Sequence, residues 1–202
     1  MKITFCVVLF SMPGFAGLIF NMAVTSDYVW RGVSQTEDRP AFQSGLDWDH
    51  SSGFFLGAWG SNVSFEGDSD VEMDFYGGFN LIESNHLKLS FGLIVYDYID
   101  IGSSEEVFVN LCLNDVQIKY SHQPDSEWNY LEGSYGFSIK SMCQVGFHLG
   151  HFDFEYGQDY SDWRIWISKG LNSLDFELSY INTDVEDDIA DDRVVLTISK
   201  SW

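Results

Sequence analysis

From Phe20 to Trp202 apolar and polar side chains alternate with a period of two. Phe20, Met22, Val24, Tyr28 and Trp30 interleave with Asn21, Ala23, Thr25, Asp27 and Arg31. Val71, Met73, Phe75 and Phe79 interleave with Glu72, Asp74, Tyr76 and Asn80, and Leu174, Phe176, Leu178 and Tyr180 with Asp175, Glu177 and Ser179. Successive side chains of a strand point to opposite faces, so this is a half-buried strand repeated along the chain. Helix spacing appears nowhere at useful length. The pattern predicts twelve strands, over 20–31, 41–50, 53–63, 71–80, 86–97, 106–113, 116–122, 128–138, 142–152, 161–169, 174–182 and 193–202. Most run about ten residues, the length a tilted strand needs to cross a bilayer.

The connections alternate between two kinds. Short ones fall at 50–53, 82–85, 114–115, 140–141 and 170–173; longer, acidic ones fall at 32–40, 64–70, 98–105, 123–127, 153–160 and 183–192. That alternation gathers the short turns at one barrel end and the long loops at the other, as in outer-membrane barrels with short periplasmic turns and longer outside loops. An even strand count puts both ends of the barrel chain on the periplasmic side.

Alternation alone does not say which face looks outward. A soluble barrel buries its apolar face inside, and a membrane barrel turns it to lipid around a polar interior. Here the apolar face is too large for a small soluble interior, and the polar face is rich in Gly, Ser, Asn, Gln and paired charges. Tyr28, Trp30, Trp48, Trp59, Tyr98, Tyr120, Trp128, Tyr130, Trp163 and Tyr180 lie near strand ends and are expected to form interfacial girdles. Tyr76, Tyr96, Phe108 and Trp166 are expected to point inward and narrow the lumen. The expected fold is all-β: a single closed antiparallel transmembrane β-barrel of about twelve strands over 17–202.

Composition sharpens this picture. The 202 residues include 31 acidic and 10 basic ones, a net charge of -21, which argues against a nucleic-acid partner. Residues 1–16 read as a cleaved secretory leader: Lys2, an apolar stretch from Ile3 to Phe10, then small residues up to Ala16. Removing it leaves Cys112, on the inward face, and Cys143, on the outward face, so both thiols are expected to be free.

Several segments resemble the TorF-family porins of proteobacteria. They are Ser26-Asp27-Tyr28-Val29-Trp30-Arg31-Gly32-Val33-Ser34-Gln35-Thr36, Pro40 to Asp47, Ser52 to Val63, Glu72 to Gly78, Asp162-Trp163 and the terminal Ser199-Lys200-Ser201-Trp202. The resemblance implies an outer-membrane location in a Gram-negative bacterium, and it implies no catalytic residue set. A last strand ending in the aromatic Trp202 is similar to the signal read by the outer-membrane insertion machinery.

The residues expected to line the lumen are Asp27, Arg31, Gln43 and Asp47, joined on the polar face by Glu72, Asp74, Lys88, Lys119, Arg164 and Glu177. The first four line an open lumen, form a plug-like network, or do no more than stabilise the barrel wall as paired charges. The 183–192 loop carries six carboxylates, Asp184, Glu186, Asp187, Asp188, Asp191 and Asp192. They read as a solvated outside loop that attracts cations weakly or bridges to lipopolysaccharide phosphates. His148 and His151 are three apart and so lie on opposite strand faces, which is poor spacing for one metal. No cofactor, metal centre or Ser-His-Asp arrangement stands out. The leading expectation is a passive, mildly cation-preferring channel for small hydrophilic solutes and not an enzyme. The alternatives are a closed-lumen surface protein and, further behind, a membrane-embedded hydrolase or a soluble ligand-binding barrel.

Overall fold

The computed structural model describes residues 17–65, 68–140 and 142–202; the leader expected over 1–16 lies outside the described residues. The chain forms β1 (Gly17–Thr25), β2 (Val29–Trp30), β3 (Val33–Ser34), β4 (Ala41–Asp49), β5 (Phe54–Phe65), β6 (Asp68–Glu83) and β7 (Leu87–Tyr98). It continues with β8 (Gly102–Leu113), β9 (Val116–Gln123), β10 (Trp128–Ile139), β11 (Cys143–Phe154), β12 (Tyr160–Leu171), β13 (Leu174–Thr183) and β14 (Arg193–Ser201). Twelve of these close into one antiparallel barrel in the order β1-β14-β13-β12-β11-β10-β9-β8-β7-β6-β5-β4, and β1 pairs β4 to complete it. Closure gives every barrel strand two partners, which is what a sheet needs where no water can satisfy an edge.

The faces sort as lipid exposure demands. Leu18, Phe20, Val24, Phe42, Leu46, Phe75, Phe91, Leu131, Phe147 and Leu149 are exposed on the outside. Glu72, Asp74, Glu106, Ser121, Glu132 and Asp162 are buried on the inside. A soluble barrel would show the reverse. Cys112 and Cys143 are unpaired, as their opposite parity on the strands anticipates.

Three expectations need correction. First, β1 stops at Thr25, not at residue 31, and the expected 32–40 loop does not project outward. The chain turns inward at Ser26 and makes β2 and β3, a two-stranded hairpin separate from the wall. Second, the strands outrun the expected 64–70 and 98–105 loops, because β5 reaches Phe65, β7 reaches Tyr98 and β8 begins at Gly102. Backbone pairing continues there (Tyr96 opposite Ser104, Tyr98 opposite Gly102) after the apolar pattern has faded, since a ladder needs no greasy side chain. Third, six of the ten girdle aromatics face the lumen. Trp59 shares parity with buried Phe55, and Trp128 shares parity with Tyr130, which is 1% exposed; Tyr98 points at Glu72, and Tyr28 and Trp30 sit on the hairpin side. Trp48, Tyr120, Trp163 and Tyr180 share the parity of the exposed apolar residues on their strands.

Candidate functional site

The hairpin is short and specified locally. Val29 pairs with Ser34 and Trp30 with Val33, leaving Arg31 and Gly32 as the two turn residues. Both have positive φ, 49° and 87°, the geometry of a type I′ turn that matches the twist of its flanking strands. Gly32 is also required by space: a Cβ there would lie 2.7 Å from Asp162 Cβ. At the base, Asp27 Oδ1 accepts from Ser34 Oγ at 2.7 Å and Thr36 Oγ1 at 2.9 Å. Arg193 of β14 clamps both legs, with Nη1 at 2.8 Å from Asp27 and 2.5 Å from Asp38. The Ser64 amide donates to the Gln35 carbonyl at 2.8 Å, and Tyr160 Oη donates to the Arg31 carbonyl at 3.2 Å.

The hairpin tip crosses the lumen. Trp30 meets Tyr96 of β7, Trp128 of β10 and Phe152 of β11, with ring centroids 6.1, 6.5 and 5.8 Å away. These strands lie across the barrel from β1. The Arg31 guanidinium sits 4.2 Å from the Tyr130 ring and 4.3 Å from the Trp30 ring, so cation–π attraction supports its position. Its Nη2 is 2.7 Å from Glu106 Oε2, and both side chains are nearly inaccessible. Burial is the largest single influence and opposes the charge on Arg31, but Glu106, Tyr96, Glu132 and Tyr130 together outweigh it and hold the guanidinium protonated well beyond its ordinary range.

Around Glu106 runs a belt of compensated charge. Lys119 Nζ lies 3.4 Å from Glu106 and 3.9 Å from Glu132, while His148 lies 3.6 Å from Glu132 and 3.1 Å from Asp162. Tyr130 Oη donates to Asp162 at 2.7 Å. The belt crosses β8, β9, β10, β11 and β12, and Arg164 paired with Glu177 extends it to β13. The wall from β4 to β6 differs. Asp47 accepts from Tyr76 Oη at 2.5 Å and Asn21 Nδ2 at 3.1 Å, and Glu72 accepts from Tyr98 Oη at 2.8 Å. These donors are all neutral.

The ten lumen candidates are therefore all on the inner side, but Asp27 and Arg31 belong to the hairpin segment and not to the barrel wall. Gln43 is buried on β4, and Lys88 faces Cys112 and Glu83 across its neighbouring strands near the short-turn end. Glu106, Glu132 and Arg193 were not singled out in the sequence, and Asp162 only as part of the Asp162-Trp163 resemblance and not as a lumen residue. His148 points inward and His151 outward, where its Nδ1 is 3.0 Å from Ser161 Oγ. In the 184–192 segment the carboxylates are dispersed. Asp184 accepts from the Ser161 amide, Asp187 caps a short 3-10 turn at Asp188–Ala190, and Asp192 accepts from Tyr180 Oη. Among the described residues no group of three or more His, Cys, Asp or Glu side chains is placed to hold a metal ion. At the short-turn end a cavity of about 380 Å³ is lined by Cys112, Gln117, Ser134, Gln144 and Trp166, among others. Trp166, Tyr76 and Tyr96 are buried on the inner face, with Phe108 packed beside the two tyrosines, as their parity predicts.

Comparison with solved structures places the barrel among porin folds. It is similar to the KdgM porin in complex with disordered oligogalacturonate, with a TM-score of 0.66 and 8% identity over 92% of this chain and 99% of that one. The NanC porin matches with a TM-score of 0.58 and 10% identity, over 91% and 98% of the two chains. LpxR from Salmonella typhimurium matches with a TM-score of 0.53 and 10% identity, over 91% and 99%. No curated protein matches the sequence. The chain belongs to a bacterial family of unknown function, Gcw_chp, which it matches over residues 14–202.

Proposed function

We propose that this Gcw_chp member is an outer-membrane porin of a Gram-negative bacterium, through which small hydrophilic solutes diffuse without cofactor or catalysis. The observation that carries this reading is the inner face: rich in charged and polar side chains interleaved with aromatics, open in a cavity of about 380 Å³ at the short-turn end, and narrowed at the other end by the Trp30–Arg31 hairpin tip. A greasy exterior needs lipid, and a wet interior needs solvent or polar solute. The TorF-family likeness of residues 26–36 and the porin-like fold support the same assignment. The hairpin then sets the width, and the acidic residues of the 184–192 segment beside its root concentrate cations at the mouth. Lipopolysaccharide would contact the outer face, and the insertion machinery would read the strand ending at Trp202.

The test is the refolded protein in a planar bilayer under a KCl gradient. A reversal potential of cation-selective sign is expected, and an anion-selective one overturns the preference. A second reading, a closed-lumen surface protein, draws on the anchoring of the hairpin from β8, β12 and β14 at once. A folded barrel that never conducts decides for it.

A further inference from the structure

Glu72 and Asp74 are two apart on β6 and so share its inward face, on adjacent levels separated by about 6.6 Å at the strand rise. Both are at least nine-tenths buried, with exposures of 1% and 6%. No basic side chain forms an ion pair with either among the described residues, although Glu106 on β8, Glu132 on β10 and Glu177 on β13 each have one. Each also has an oxygen without any partner: Glu72 Oε2 and Asp74 Oδ1. What lies against them is hydroxyl-bearing or aromatic, with the Tyr98 and Tyr28 hydroxyls on Glu72, and the Glu106 carboxylate is near enough to Asp74 to add repulsion. Tyr98 Oη donates to Glu72, Tyr98 and Tyr96 are the register partners of Glu72 and Asp74 on β7, and Ser61 and Trp59 are their partners on β5. The hairpin supplies the roof, since the Tyr28 ring lies 5.3 Å from that of Trp59.

Two unpaired carboxylates with orphaned oxygens, shut from solvent, are costly as a bare charge pair. A hard cation removes that cost, because carboxylate and hydroxyl oxygens are its preferred ligands and two carboxylates match a divalent charge. We infer that Glu72 and Asp74 form a lumenal divalent-cation site, roofed by Tyr28, that ties the inner hairpin to the β4–β6 wall. The inference extends the cation preference proposed above and names where a cation would rest.

The test uses the refolded, full mature barrel in detergent with Tb³⁺ as the probe and Ca²⁺ as competitor. Trp59 and the neighbouring tyrosines should sensitise Tb³⁺ emission. The signal should fall at least tenfold in Asp74→Asn and in Glu72→Gln, and it should be competed by Ca²⁺. It should persist in Asp187→Asn/Asp188→Asn, which removes two mouth carboxylates and leaves the lumenal pair untouched. Heat-dependent gel migration confirms that each variant is folded. Absence of sensitised emission, emission undiminished in both lumenal variants, or loss confined to the loop variant overturns the site. A barrel that binds Tb³⁺ in this way yet conducts nothing keeps the site and removes the channel, so the two readings fail separately.

Discussion

Between β8 and β12 each buried lumenal carboxylate has a base against it: Arg31 and Lys119 on Glu106, Lys119 and His148 on Glu132, His148 on Asp162. Between β4 and β6 the half-buried Asp47 and the buried Glu72 and Asp74 have tyrosine and asparagine donors or none, and only the buried Asp49, near the short-turn end, has a base close by, Lys88. Both walls face the same lumen and are built by the same alternation, so strand pattern is not the source of the difference. The difference comes from the hairpin and from the bases Lys119, His148 and Arg164, which all lie on β9, β11 and β12. One wall is electrostatically closed on itself and on the hairpin. The other holds Glu72 and Asp74 without an ion-pair partner among the described residues, each with one oxygen that no donor reaches.

The sharpest way to break this contrast is to remove one partner from each wall. Glu106→Gln strands Arg31 in a buried, ring-lined position and should cost about 3–5 kcal/mol in denaturant unfolding of the barrel in vesicles. Asp74→Asn, measured in chelator, removes a charge that had no partner and should be neutral or stabilising. If the two substitutions cost the same, the walls do not differ as described. The distinction between inner and outer face ranks next. Leu149→Arg, 63% exposed in the middle of β11, should destabilise by about 2–4 kcal/mol. The lumenal Ser134→Arg should cost much less, and equal penalties would contradict the assignment of faces. Smaller again is a test of packing under the belt. A Cβ at Gly150 would lie 1.9 Å from Tyr130 Oη, so Gly150→Ala should cost about 1–3 kcal/mol. At Gly133 the nearest atom is 3.9 Å away, and Gly133→Ala should stay within about 0.5 kcal/mol of wild type in the same assay.

The barrel was legible because its physics is periodic. A strand wet on one face and greasy on the other must alternate, and each of the twelve strands overlaps its expected range. The hairpin was harder to see, because Tyr28, Val29, Trp30 and Arg31 prolong the alternation of β1 without a break. The one local signal was Gly32 behind Arg31, a two-residue turn flanked by strand-forming residues, and it sat inside a stretch read as wall and outside loop. The aromatics were misread for a different reason. Nearness to a strand end suggested a girdle, while parity, which was available, argued otherwise: Trp128 and Tyr130 share a face with Glu132 and not with Leu131 or Phe137. The belt itself needed register. Lys119 and Glu132 meet only because β9 and β10 pair at that level, and Arg31 reaches Glu106 only by crossing the barrel. Such contacts between distant residues leave no trace in a single chain's local pattern.

The central claim is that the hairpin occupies the lumen of a membrane barrel and limits what passes. Single-channel recording of the refolded wild type against a variant in which residues 28–36 are replaced by a short Gly-Ser turn tests it directly. Wild type should show a small conductance step and the variant a step several-fold larger. Equal steps, or a shortened barrel that folds and still does not conduct, would contradict it.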